Sequence, residues 1–204
     1  MIYTVGHSNL SENDFCRLIE PLDVLLDIRS HPNSNKNPQF KIENLKKWVP
    51  AKSKKKYEWE PNLGGWDVRH EYLSDEMRRH GVDLAPYLKG FFPKGRINES
   101  LDQKGRPWWY IRGFYDYQWY MTLPEFFDAA EALIERGESE NIGIMCCEAL
   151  WWSCHRSMVC DYLSFRGAKS FHLQPKLTEH PADRLDRYES GVLLSWKHPV
   201  SARA

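Results

Sequence analysis

The feature that most constrains this chain is a set of short apolar runs with no alternation, each ending in polar or charged residues. Asn141-Ile142-Gly143-Ile144-Met145-Cys146-Cys147 and Val24-Leu25-Leu26-Asp27-Ile28-Arg29 are the clearest. A strand buried on one face alternates apolar with polar. A continuous run needs cover on both faces, as in a parallel sheet between layers of helices. Ile2-Tyr3-Thr4-Val5 is a third, β-prone run that stops at Gly6-His7-Ser8-Asn9. Between the first and second runs, Ser11 reads as a helix N-cap, with Asp14 three residues on and an apolar stripe at Phe15, Leu18 and Ile19. Pro21 ends that helix, and strand, helix and strand make a βαβ unit.

The same grammar returns late in the chain. Thr122-Leu123-Pro124-Glu125 starts a helix with Pro in its first turn, Phe126, Phe127, Ala130, Leu133 and Ile134 give it an apolar face, and Gly137 ends it. Cys154-His155-Arg156 opens another, with Met158, Val159, Tyr162 and Leu163 inward and Gly167 at its close. Lys169–Leu173 reads as a further strand. Between the two sheet-forming parts, His31–Asn35 is turn chemistry, Phe40–Trp48 reads as a short helix stopped by Pro50, and Leu63-Gly64-Gly65-Trp66 is a turn. Residues 69–90 look helical in part, 91–106 read as loop, and 108–115 are densely aromatic. The last 30 residues are weakly patterned. The expected fold is α/β: a Rossmann-like, mostly parallel sheet with helices on both faces. A length of 204 residues suits one domain, 1–204, with its sheet drawn from 1–30 and 138–175 and a helical, aromatic-rich insertion over about 31–121 acting as a cap.

Charge narrows the function classes. Lys+Arg and Asp+Glu are both 28, which excludes a globally basic nucleic-acid binder and an acidic tail protein. A local patch survives that test: residues 36–56 hold eight lysines and one acid, Glu43. No window reaches the ~18 apolar residues of a membrane span, and Met1–His7 lacks the features of a signal peptide. Five cysteines, an odd count, are then expected as reduced thiols in a cytoplasm. There is no Gly-rich dinucleotide fingerprint and no Walker loop, so NAD or ATP is not indicated.

In an open parallel sheet, chemistry gathers outside the carboxyl ends of the strands. Those ends deliver His7 and Ser8, then Asp27 and Arg29, then Cys147 and Glu148, and finally His172; the helix after the central strand opens with Cys154, His155 and Arg156. A thiol at a helix N-terminus beside His and Arg has its thiolate favoured, as nucleophile or soft metal ligand. Free N–H groups there bind anions, and Arg156 adds a bidentate fork. Glu148 would move protons if the two tryptophans beside it raised its pKa. Plainer readings stand alongside. Cys146 and Cys160 suit buried apolar positions, and Cys147 and Cys154 are open to the same reading. His7 can bond a backbone carbonyl. Asp27 and Arg29, two apart on a strand, can pair with each other. The lysine run can be a solvated face, and the aromatics of 108–120 a small core.

Taken in order, Thr4-Val5-Gly6-His7-Ser8, Asp27-Ile28-Arg29 with Pro32 and Ser34, Leu63-Gly64-Gly65, Cys147-Glu148 with Cys154-His155-Arg156, and His172 resemble the DUF488 family, a domain of unknown function. The resemblance implies an intracellular, mostly prokaryotic protein with a Rossmann-like domain, and marks the strand-end residues as the family's signature. The Trp/Tyr-rich 108–120 and 151–152 depart from the family pattern. The expectation is an enzyme, a hydrolase or group transferase for an anionic substrate such as a nucleotide or nucleic acid. His7, Cys147, Glu148, Cys154 and His155 would be catalytic, and Ser8, Asp27, Arg29 and Arg156 would hold the substrate in the same cleft. A non-catalytic nucleic-acid or protein binding module is the second reading. A metal or redox site at Cys147, Cys154 and His155 is the third.

Overall fold

The structure, a computed structural model, describes residues 1–65, 114, 117–118, 120–188 and 190–197. The chain divides into two compact units, residues 1–64 with 128–182 and residues 65–127 with 183–204.

The first unit carries the sheet. Its strands are β1 (Ile2–Gly6), β2 (Val24–Asp27), β3 (Lys56–Trp59), β4 (Ile142–Cys146), β5 (Ser170–His172) and β6 (Thr178–Glu179). They lie in the order β3-β2-β4-β1-β5-β6, and all neighbours are parallel except β5 and β6. The α/β class and the mostly parallel sheet follow from the unalternated runs: β2 and β4 are buried at every residue. Two strands lie outside 1–30 and 138–175. β3 comes from the end of the lysine run, and β6 from the weakly patterned C-terminal region. β3 is an edge strand with exposed ends, so it carries none of the apolar signal that marks β2 and β4.

Alternation along β1 assigns the two faces. Tyr3 and Val5 join Leu25 and Met145 in a core with Phe15 of α1 (Glu12–Leu18), Ile19 at its C-terminal cap, and Leu45 and Trp48 of α2 (Ile42–Trp48). Ser11 caps α1 as its sequence suggests, its Oγ accepting the Asp14 N–H at 3.1 Å. Pro50 does not stop the chain after α2; residues 49–53 continue it as one π-helical turn, which tolerates the missing N–H. On the opposite face, Thr4 bonds His172, which is linked through His180 to Asp161 of α4 (Arg156–Phe165). Tyr162 of α4 donates to Glu131 of α3 (Pro124–Gly137) at 2.6 Å. Every residue of α4 from Arg156 to Leu163 is buried, so this helix is enclosed on all sides. Gly167 stops the chain beyond it in a left-handed conformation, φ +79°.

In the second unit, Tyr117, Tyr120 and Phe126 form an aromatic cluster. Trp196 of α5 (Ser190–Lys197) packs on Tyr188 and donates to the Met121 carbonyl at 3.2 Å. Tyr117 and Tyr120 thus belong to a small core. The predicted helices of 69–90, the loop of 91–106 and the aromatics of 108–113 lie outside the described residues.

Candidate functional site at the strand ends

The parallel ladders bring the carboxyl ends of β1, β2 and β4 to one edge, with Gly6 opposite Cys146 and Asp27 opposite Met145. Beyond the ladders, His7 N–H bonds to the Cys146 carbonyl at 3.0 Å and Ser8 N–H to the Cys147 carbonyl at 2.8 Å. Gly6 is required at this crossing. A Cβ there would stand 1.9 Å from the Glu148 carbonyl oxygen and 2.9 Å from the Ala149 Cα. Gly64 meets the end of β2 in the same way, its missing Cβ leaving room for Ser30 N at 2.5 Å.

The backbones converge, but the side chains go to opposite faces. On the α1/α2 face, Arg29 Nε and Nη2 form a two-pronged pair with Asp27 at 2.8 and 2.6 Å. Nη2 also donates to the Phe40 carbonyl at 2.9 Å. Nη1 lies 3.1 Å from His7 Nε2. Tyr57 Oη donates to Asp27 at 2.8 Å, and Phe40 stacks on the His7 ring at 4.3 Å. His7 Nδ1 is 2.8 Å from the Ser8 carbonyl, which only accepts, so Nδ1 carries the proton and Nε2 accepts from Arg29. Burial drives the His7 pKa down to about 4, with the neighbouring Arg29 charge reinforcing it against the Ser8 bond. Burial also pushes the Tyr57 phenol up, and Asp27 adds to that. For Arg29, burial lowers the pKa, but the bond and charge of Asp27 outweigh it. Four of the five N–H donors of Arg29 are engaged, and both ring nitrogens of His7 are engaged. The group is a closed clamp. Ser8, in the left-handed region at φ 45°, supplies its carbonyl to this clamp and turns its hydroxyl to Asn9 at 3.4 Å.

On the α4 face the thiols gather. Cys154 Sγ lies 3.6 Å from His155 Nδ1 and receives Arg156 Nε at 3.5 Å. Cys146 Sγ is 3.9 Å from His155 Nδ1 and 3.9 Å from Cys147 Sγ. Arg156 is fully buried and its Nη2 also donates to the Glu148 carbonyl. Burial alone would raise the Cys154 pKa. The Cys146 thiol donating to it, His155 and the Arg156 charge reverse that and hold it well below the usual thiol value. Cys146 is the proton-keeping partner, raised by Cys147, Cys154 and burial. Cys147, at the exposed end, is lowered by its own hydrogen bond with Cys146. Glu148 is exposed, with Oε1 3.8 Å from Cys147 Sγ. Its carboxylate is not enclosed by the two tryptophans.

The expected single cleft therefore resolves into two side-chain groups joined through backbone at the rim. His7, Asp27 and Arg29 form one; Cys147, Glu148, Cys154, His155 and Arg156 belong to the other. Sequence reasoning missed Tyr57 and Phe40, which complete the clamp. It also gave Cys147 to the expected metal-ligand set, whereas the atoms lying within 4.8 Å of one another are those of Cys146, Cys154 and His155. The signal was present: Ile142, Ile144 and Cys146 share a face, and Cys147 does not. A second such group, Cys160, His172 and His180, includes a residue from the weakly patterned C-terminal region.

The lysine run is engaged locally. Lys52 pairs with Glu12 at 2.5 Å and Lys56 with Glu140 at 3.4 Å. Lys55 donates to the Glu20 carbonyl at 2.7 Å and Lys54 to the Ala51 carbonyl at 3.0 Å. Among the described residues, no helix is long and apolar enough to cross a membrane.

A parallel α/β sheet with thiols and an arginine at the carboxyl ends of its strands and the start of the following helix defines the class. The chain belongs to the DUF488 family, domain of unknown function DUF488, whose profile matches residues 19–89 and 68–163. That span takes in Asp27, Arg29, Gly64 and the Cys147–Arg156 stretch, and leaves His7 and His172 outside. No curated protein and no solved structure matches the chain.

Proposed function

We propose that the protein is a thiol-dependent enzyme, a hydrolase or group transferase acting on an anionic substrate such as a nucleotide or nucleic acid. The observation that supports this reading is the setting of Cys154. Its sulfur stands at the N-terminal end of a ten-residue helix, 3.5 Å from Arg156 Nε and 3.6 Å from His155 Nδ1. A cationic neighbour and a helix N-terminus favour the thiolate, which is the attacking form. Cys154 attacks the electrophilic centre of the substrate, and a thioester-like or thio-linked intermediate forms as the leaving group departs. His155 supplies the leaving group's proton, and water or an acceptor then displaces the sulfur. The anion is received by the N–H groups at the start of α4. Cys147, exposed and carrying a lowered pKa, is the entry-side thiol, and the exposed Trp152 offers a face for a base to stack on. His7, Asp27 and Arg29 hold the rim in place from the other face.

Alkylation by iodoacetamide, resolved by mass spectrometry for each cysteine across pH, tests the reading together with turnover of chromogenic phosphodiesters and esters. Cys154 and Cys147 are expected to label at pH values where Cys160 and Cys146 do not. Cys154→Ser is expected to lose turnover, and Arg156→Gln to slow low-pH labelling of Cys154 by about tenfold for each unit its pKa rises. Ordinary-thiol labelling of Cys154, or full turnover in Cys154→Ser, overturns the proposal.

A further inference from the structure

We infer that Cys160, His172 and His180 form a binding site for a zinc-like divalent metal ion, separate from the Cys154 group and not resting on the enzymatic reading. The three come from different elements: Cys160 from the middle of α4, His172 from the end of β5, and His180 from the residue after β6. Their ligand atoms lie within 4.8 Å of one another, and all three residues are buried.

The arrangement of the imidazoles carries the inference. His172 Nε2 and His180 Nδ1 face each other at 3.0 Å. Two nitrogens on a tetrahedral zinc ion stand about 3.3 Å apart, from Zn–N bonds of about 2.0–2.1 Å. The two nitrogens therefore separate by only a few tenths of an ångström, and each ring turns so that its lone pair meets the ion rather than the other nitrogen. Each ring's other nitrogen is held by an oxygen: His180 Nε2 lies 2.7 Å from Asp161 Oδ1, and His172 Nδ1 lies 2.7 Å from Thr4 Oγ1. Metal-binding histidines are fixed in this way, with the outer N–H given to a carboxylate or another oxygen. Trp151 stacks on His172 at 3.9 Å and 3°, fixing the ring plane and shielding it.

Charge and proton balance agree. A Cys160 thiolate and the Asp161 carboxylate together neutralise a divalent ion. Without metal, Thr4 O–H donates to His172 Nδ1, and His172 Nε2–H donates to His180 Nδ1, whose Nε2–H faces Asp161. On binding, the His172 proton moves to Nδ1 and is accepted by Thr4, both inner nitrogens turn lone pairs to the ion, and Cys160 releases its proton to solvent. One thiolate and two imidazoles leave a fourth tetrahedral position to a water molecule. The Cys146, Cys154 and His155 group is the poorer cation site, because the buried Arg156 guanidinium stands 3.5 Å from Cys154 Sγ.

The test is metal analysis of the full chain, purified without chelator or polyhistidine tag, after zinc loading and gel filtration. About one zinc per chain is expected. X-ray absorption of that wild-type sample is expected to show one sulfur and two imidazole nitrogens. Cys160→Ala and His180→Gln are expected to lose the zinc, and Cys154→Ser to keep it. The inference is overturned by protein that retains no zinc, by a two-sulfur shell in the wild type, or by zinc lost in Cys154→Ser and kept in Cys160→Ala. The wild-type spectrum decides the matter even if Cys160→Ala fails to fold.

Discussion

On the α1/α2 face of the sheet, a histidine, an arginine and a carboxylate close on one another at 2.6–3.1 Å. On the α4 face, a histidine, an arginine and two thiols meet at 3.5–3.9 Å. Both groups are largely buried, both sit at the strand ends, and both contain an arginine. Sulfur's larger radius explains part of the difference. The rest is saturation. Asp27 accepts from Arg29 and Tyr57, His7 is bonded through both nitrogens, and four of the five Arg29 donors are used, so the clamp is close to saturated. The thiol group shares its protons among three sulfurs and leaves Cys147 exposed. Burial and charge are common to both groups. What separates a structural group from a reactive one is whether its donors and acceptors are already used.

The sharpest way to break this contrast is to open the clamp. Asp27→Ala leaves the buried Arg29 unpaired and should lower stability by about 3–5 kcal/mol, read by urea denaturation. Asp27→Leu with Arg29→Met removes both charges and should cost clearly less than the single change. If Asp27→Ala is neutral, the clamp is not structural. Next in size is a pH effect. His7 has its pKa depressed from 6.5 to about 4 in the folded chain. Unfolded chain takes up the proton first, so this contribution is whole above pH 6.5 and is lost as pH falls towards about 4, amounting to about 3 kcal/mol. The difference between wild type and His7→Gln in denaturation midpoints across that window isolates it.

Gly6→Ala acts on the link between the two groups. Its Cβ collides with backbone at Glu148 and Ala149, and the loss should be about 1–3 kcal/mol. Changed alkylation of Cys147 in that variant would show that the crossing positions the thiols. The smallest effect is expected from the lysine run. Lys52→Ala and Lys56→Ala remove exposed pairs and should each leave the melting midpoint close to that of the wild type.

The sheet was readable because β2 and β4 are apolar on both faces, a pattern that little else produces. Ser11, Gly137 and Gly167 marked helix ends through local chemistry that tertiary contacts did not override. Lys56–Trp59 was hidden because an edge strand shows solvent-facing residues and carries no periodic signal. The candidate site was legible as a set of residue types at strand ends. The sequence leaves open an Asp27–Arg29 pair and a carbonyl partner for His7, and both are present. It did not divide the set between faces, because that depends on which of two adjacent cysteines points toward α4. Nor did it find His180, which meets Asp161 only after the chain has turned back along β6.

The way the sheet stops has its own consequence. At one side it ends in β3, a four-residue strand with Lys56 and Glu58 tied to Glu140 and Arg136. At the other it ends in the two-residue stub of β6, running against the rest. A neighbouring molecule seeking to extend the sheet would find a charged margin at one side and too short a hydrogen-bonding ladder at the other. The described borders thus guard against strand-to-strand aggregation between molecules, in a protein whose central strands are apolar enough to invite it.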